Sequence, residues 1–171
     1  MIAIIDYGVG NLFSLKSSLA AIGREAVVTG DRAVLRAASH VILPGVGAFG
    51  DAAARLRAAG MAEAVLEAAA AGKPVLGICL GMQLLLERSF EYGEHPGLGL
   101  IPGEVRPIRD VIPVGLAVPH MGWNALRFPA ERPAAPFSRL WRRGSTSISS
   151  TPTRALPAER GSPPGPSTAR L

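Results

Sequence analysis

Residues Val75–Glu87 read VLGICLGMQLLLE, and Cys79 within them is the only cysteine of the 171-residue chain. The run changes at that cysteine from strand-like to helix-like, with Gly77 before it and Gly81 after it. A residue at a sharp strand-to-helix turn holds its side chain above the sheet, and glycines let such a turn close without steric clash. The helix that follows points amide hydrogens and a positive dipole at the thiol, which favours thiolate over thiol. It also brings the backbone N–H of Leu80 beside the nucleophile as a donor for an oxyanion. A cysteine that only fills space would need neither the flanking glycines nor the polar Gln83 one helical turn on.

The same alternation of strand and helix extends to both sides. IAIID (2–6) is expected as a buried strand, and YGVGN (7–11) turns it into a helix with Leu12, Leu15, Leu19 and Ile22 on one face and Gly23 as its stop. EAVVT (25–29) and HVILPG (40–45) are expected strands separated by a short helix at 32–37. Asp51 is placed to cap the alanine-rich helix that follows; Gly60 interrupts it, and a second helix runs to about Ala71. KPVLGI (73–78) is the fourth strand. Strands separated by helices imply parallel pairing with right-handed crossovers, hence a doubly wound α/β sheet in one compact unit. Three glycine-rich loops, DYGVGN, PGVGAFGD and GICLGMQ, then share the carboxyl edge, where ligands gather in such sheets.

Composition excludes several function classes. The formal charge of +5 arises entirely from Pro129–Leu171, where seven arginines face two glutamates. That stretch also holds eight of the fifteen prolines, with little apolar periodicity, so it is expected to be disordered rather than a folded basic patch. Without aromatic interleaving for base stacking, nucleic-acid binding is not expected. One cysteine and the scattered His40, His95 and His120 give neither a disulfide nor a zinc spacing, so no metal is expected. No apolar run approaches the roughly 20 residues that cross a bilayer, and MIAIIDYG lacks the form of a signal peptide, so a cytoplasmic location is expected.

Five stretches in order, DYGVGNLFSL (6–15), ILPGVGAFGDA (42–52), GICLGMQLLLE (77–87), GLGLIPGEV (97–105) and VPHMGWN (118–124), resemble the class I, triad-type glutamine amidotransferases. Within that family they are most similar to the glutaminase subunits of imidazole glycerol phosphate synthases, from histidine biosynthesis. The resemblance implies a three-layer, mostly parallel flavodoxin-like sheet and hydrolysis of glutamine to glutamate and ammonia, with no cofactor. It implies a heterodimer in which ammonia passes to a cyclase subunit, a (β/α)8 barrel. Cys79 would be the nucleophile that forms a thioester; Leu80 N–H and, after rearrangement, a peptide N–H at Val46 would hold the oxyanion; Gly47 and Gln83 would line the glutamine pocket. Tyr7, Gly8 and Asn11 in the first loop, with His120, Met121, Trp123 and Asn124, would face the cyclase.

The family's catalytic histidine and glutamate come near the C-terminus in a His-Pro-Glu sequence, and none occurs in this chain. Where the family continues with Tyr-Phe-Val-His-Ser-Tyr, this chain has STSISSTPTRALPAERGSPPGPSTARL (145–171). Joining each codon's third base to the first two of the next permits that hexapeptide across Ser147–Thr153 and Leu-Phe-Ala, then Leu-Glu-Glu-Gly, across Pro136–Gly144. From Gly144 onward all residues but Ile148, Leu156, Glu159 and Leu171 have codons with C or G in the middle, as a GC-rich gene read one frame off would show. A natural Ser/Pro/Arg tail would account for the composition but not for the hexapeptide in register.

These features define an amidotransferase domain over 1–128 that lacks its C-terminal strands, followed by an out-of-frame tail over 129–171. Two other functions compete: a stand-alone cysteine hydrolase using His120, and a non-catalytic remnant that only binds the cyclase. Sequencing the gene across the codons for Phe128–Thr153 is expected to yield nucleotides that spell Tyr-Phe-Val-His-Ser-Tyr in the shifted frame. Codons that spell anything else would leave a natural tail as the explanation.

Overall fold

A computed structural model of the chain describes residues 1–110, 112–115 and 118, together with the backbone of strands at 120–125, 146–151 and 153–157. Four short strands, β1 (Ile2–Ile5), β2 (Ala26–Thr29), β3 (His40–Leu43) and β4 (Val75–Gly77), form a parallel sheet of order β2-β1-β3-β4. Between them run α1 (Leu12–Ala21), α2 (Arg32–Ala37), α3 (Phe49–Ala58) and α4 (Met61–Ala70). The expected doubly wound arrangement is thus present, each helix being the crossover that a parallel pair requires.

Side chains alternate across the sheet. Ala3 and Ile5 of β1 and Val41 and Leu43 of β3 join Leu35, Phe49, Leu56, Met61 and Val65 from α2, α3 and α4 in one core. Burying a side chain such as Phe49, which is fully enclosed, stabilises the fold by about 2–3 kcal/mol relative to leaving it in water. On the alternate positions Ile4 and Ile42 are buried too. The apolar face read for α1 is only partly realised: Leu12, Leu15 and Leu19 are half-buried, whereas Ile22 is the exposed C-cap residue.

Beyond β4, α5 (Leu80–Leu84) is followed by β5 (Leu86–Ser89), β6 (His95–Pro96) and β7 (Ile101–Pro107). They lie in a second sheet of order β10-β7-β5-β6, where β10 is Thr153–Pro157. The helix expected after Cys79 is therefore five residues long, because Leu86 leaves it to pair with Ile101. Leu84, Leu86 and Val105 carry this sheet into the core already described.

One compact unit is expected from the length, but the chain divides into two, with Pro107–Arg154 as the second. In that unit β8 (His120–Ala125) pairs antiparallel with β9 (Thr146–Thr151) in a two-stranded sheet. Of the stretch expected to be disordered, 129–171, the segments Thr146–Thr151 and Thr153–Pro157 are backbone strands, and the remainder lies outside the described residues. Among the described residues no helix is long and apolar enough to cross a membrane.

Tyr7 ties two of the glycine-rich loops together. Its ring is buried and its hydroxyl donates to the Pro44 carbonyl at 2.8 Å. Burial pushes its pKa up from 10.0 to about 12, so the folded state holds this proton more tightly than the unfolded chain, where a tyrosine titrates near pH ~10. The stability that follows is fully present below that value and is lost as pH rises through about 12. Tyr7→Phe should flatten the alkaline part of the stability curve. At neutral pH it should cost about 1 kcal/mol for the lost buried hydrogen bond, read by denaturant titration. An unchanged alkaline limb would show that Tyr7 is not the group titrating there.

Candidate active site

β4 runs parallel to β3, and the Ile78 N–H extends the pairing by donating to the Leu43 carbonyl at 3.0 Å. The chain then reverses at Cys79, which has φ 57° and ψ −121°. A side chain in that region is strained by about 1–3 kcal/mol, a cost met only where surrounding contacts over-determine the backbone. Here α5 starts at once: Gly81 N–H bonds the Ile78 carbonyl and Met82 N–H the Cys79 carbonyl, each at 3.0 Å. Cys79 is exposed at the head of this turn, as the sequence suggested.

The turn is possible because Gly81 has no side chain. A Cβ there would lie 1.9 Å from the Leu43 carbonyl oxygen, a backbone atom of the core strand β3 that cannot yield. From the other side the PGVG loop closes down on the elbow. A Cβ on Gly45 would lie 2.6 Å from the Gly81 nitrogen and 2.9 Å from the Leu80 Cβ. The structure thus brings together the two segments that the resemblance implies would hold the oxyanion. Leu80 is buried, Val46 is half-exposed and Gly47 has φ 89°, so the loop's crest is open to solvent while its base is wedged. Gln83 is buried one turn beyond Cys79.

The other residues singled out from the sequence are distributed differently. Tyr7 lies inside, bonded to Pro44. Gly8 is exposed and donates its N–H to Asp6 Oδ1 at 3.1 Å; Asn11 caps α1 by accepting from Ser14 N–H at 3.2 Å. His120, Met121, Trp123 and Asn124 lie on β8 in the second unit, and their side chains fall outside the described residues. Among the described residues no cluster of three or more His, Cys, Asp or Glu could hold a metal.

One expectation is corrected. Asp51 does not cap the alanine-rich helix, because α3 begins at Phe49 and places Asp51 inside its first turn. The N-cap residue is Ala48, with no capping side chain of its own, and the acceptor comes from far along the chain: Glu91 Oε2 receives the Phe49 N–H at 2.7 Å. His95 from the same hairpin packs on Gly50, where a Cβ would come within 2.7 Å of the ring. Sequence reasoning missed both residues; the available signal was a turn, YG (92–93), flanked by acids, which says nothing about where the hairpin docks.

Comparison with known proteins agrees with this geometry. Residues 3–110, well over half the chain, match the profile of the CobB/CobQ-like glutamine amidotransferase domain. A Sulfurimonas denitrificans protein named "Imidazole glycerol phosphate synthase subunit HisH" is 54% identical over 134 residues, covering 78% of this chain and 64% of that protein. The protein of the same name from Moorella thermoacetica is 53% identical over 136 residues, covering 80% of this chain and 62% of its own length. This chain therefore spans somewhat less than two thirds of these relatives. A solved structure titled "Crystal structure of glutamine amidotransferase" superposes with a TM-score of 0.58 at 20% identity, covering 73% of this chain and 64% of the other, which bears on the fold. Residues 3–110, which match that domain, carry the Gly-Ile-Cys-Leu-Gly elbow, the PGVG loop and the parallel sheet, and this chain belongs to the glutamine amidotransferase family.

Proposed function

We propose that this chain derives from the glutaminase subunit of an imidazole glycerol phosphate synthase, a cytoplasmic heterodimer with a (β/α)8 cyclase. The observation that carries this is the contact between the Gly45 backbone and Leu80–Gly81 beneath an exposed Cys79, in a chain half identical to proteins of that name. Cys79 Sγ attacks the side-chain amide carbon of glutamine, and the oxygen charge is held by Leu80 N–H and a peptide N–H at Val46 once the crest of the loop turns. Gly47 and Gln83 bound the pocket. Ammonia leaves, and water then releases glutamate from the thioester. Gly8 and Asn11 on the first loop, and separately the segment that carries His120, Met121, Trp123 and Asn124, are assigned to the cyclase; Tyr7, expected with them, is buried and supports the first loop rather than facing a partner.

The departing ammonia needs a general acid and the thioester a base that activates water. In the family a histidine does both, oriented by a glutamate, and the sequence of this chain has no counterpart to their His-Pro-Glu. We read 1–128 as the amidotransferase domain and 129–171 as translated out of frame. What supports this is the register across Ser147–Thr153, where the shifted frame permits the family's Tyr-Phe-Val-His-Ser-Tyr. Loss of one member of a catalytic unit typically costs about as much as loss of most of it, on the order of 10⁴–10⁶ in rate.

Two measurements test the proposal. Cys79 should be alkylated by a glutamine-shaped electrophile faster than a model thiol at neutral pH, because the pocket orients the reagent. A rate no greater than the free thiol's would leave a packing residue. Glutamate release should be absent from this chain, with or without the cyclase and its ribotide substrate, and restored with cyclase stimulation when the reading frame is repaired. Turnover by this chain alone, abolished by His120→Ala, would establish the stand-alone hydrolase instead; no turnover from either chain would establish the remnant.

A further inference from the structure

An all-parallel sheet normally has both faces covered, and the β2-β1-β3-β4 sheet is covered unequally. From β1 to β2 the chain moves one way across the sheet, and from β2 to β3 and on to β4 it moves the other way. With right-handed crossovers α1 therefore stands on one face and α2, α3 and α4 on the other. Ala3, Ile5, Val41 and Leu43 point to the three helices, and the opposite face falls to α1.

One helix is too narrow for that face. A helix about 10 Å across spans roughly two strands set about 4.8 Å apart, and α1 packs over β1 and β2. The strand registers place Val28, Ile4, Ile42 and Leu76 in one row across this face, from β2 to β4. Ile4 and Ile42 are buried, but Leu76, at the end away from α1, is 41% exposed. The helix shows the same lack of cover from its own side. It contributes no fully buried residue, with Leu12, Leu15 and Leu19 only half-buried, whereas α3 buries four residues and α4 five. Among the described residues the outer edge of β4 is also unpaired.

The length of the relatives and the composition of the tail point to one occupant. The match covers 64% and 62% of the two HisH proteins, so about a third of each has no counterpart in this chain. The shared stretches begin at Asp6, which puts most of that length after them. As translated, residues 145–171 offer only Ile148, Leu156 and Leu171 as apolar side chains larger than alanine, apart from proline. In the shifted frame the same codons permit Tyr, Phe and Val within six residues.

We propose that the Leu76 end of this face, with the open edge of β4, is the seat of the C-terminal segment that the restored frame encodes. It rests on the reading of 129–171 as out of frame. Because β4 runs directly into the turn at Cys79, a segment seated there arrives beside the thiol, where the proposed reaction needs its acid and base. Docking of that segment thus completes the second layer and the site together.

The test measures how fast a thiol at position 76 reacts with N-ethylmaleimide in this full chain and in the frame-restored chain. Both carry Cys79→Ser, and the label is located by mass spectrometry. In this chain the thiol introduced by Leu76→Cys should react within about threefold of one introduced by Phe13→Cys, on the exposed side of α1. In the restored chain position 76 should react at least ~50-fold more slowly than position 13, because only local opening would expose it. Equal reactivity of position 76 in the two chains would overturn the proposal. So would protection already present in this chain and lost on dilution, which would make a second copy the cover, or protection that needs the cyclase. If the cysteine variants lose their cooperative melt, Leu76→Ala carries the comparison. It should lower the urea midpoint by about 1 M in the restored chain and by less than about 0.3 M in this one; equal shifts would overturn the seat. Glutamate release by the unsubstituted restored chain with the cyclase keeps the two readings apart. Release with position 76 unprotected would defeat the seat alone, and protection without release would uphold the seat and defeat the glutaminase reading.

Discussion

The Leu43 carbonyl and the Gly81 α-carbon meet where no Cβ could fit, and the candidate site hangs on that contact. Because β3 is buried and hydrogen-bonded on both sides, its C-terminal end is an immovable stop. Drawing α5 down onto it forces the reversal at Cys79 and its positive φ, and leaves the thiol above the sheet. The same descent brings Leu80 and Gly81 under Gly45, so Cys79 and the PGVG loop are positioned by one close approach rather than by two independent devices.

The periphery protects that approach. Tyr7 bonds the Pro44 carbonyl immediately before Gly45, which stiffens the strand end from the side of the first loop. Glu91 reaches Phe49 from the side of the hairpin. The charged groups elsewhere have a different task. Glu67 is held below the usual carboxylate range by hydrogen bonding from Arg36, then from Arg32, linking α2 to α4, and Glu104 is held down by Arg106 and Arg88 on the second sheet. These are solvent-facing pairs, weakened by water and by salt, so they trim the orientation of elements that the apolar core already holds.

Much of the first unit was legible in the sequence because its signals are local. β-branched runs of four or five residues, a glycine after each, and helices between them give the parallel order without reference to anything distant, and the bounds of β1, β2, α2 and β3 fall within two residues of those read from sequence. The exposed Cys79 at a strand-to-helix turn was legible for the same reason, since both flanking glycines lie within two residues of it. The amphipathic face of α1 was a weaker signal: periodicity identifies which residues share a face, but how much of that face is covered depends on what packs there, and Ile22 stays exposed.

What only the tertiary structure decided has one physical cause, contact between residues far apart in the chain. The length of α5 was set by Leu86 pairing with Ile101, a competition that an apolar run of leucines does not reveal. The cap of α3 was assigned to Asp51 on sequence proximity, whereas the acceptor is Glu91, 42 residues beyond the amide it receives. The closeness of Gly45 to Gly81 likewise depends on β3 and β4 being neighbours. The sequence by itself determined which residues are candidates for chemistry and the secondary structure that presents them, because those rest on residue type and short spacing. The distances that turn Cys79, Leu80 and the PGVG loop into one site came from the packing of strands that the sequence separates by helices.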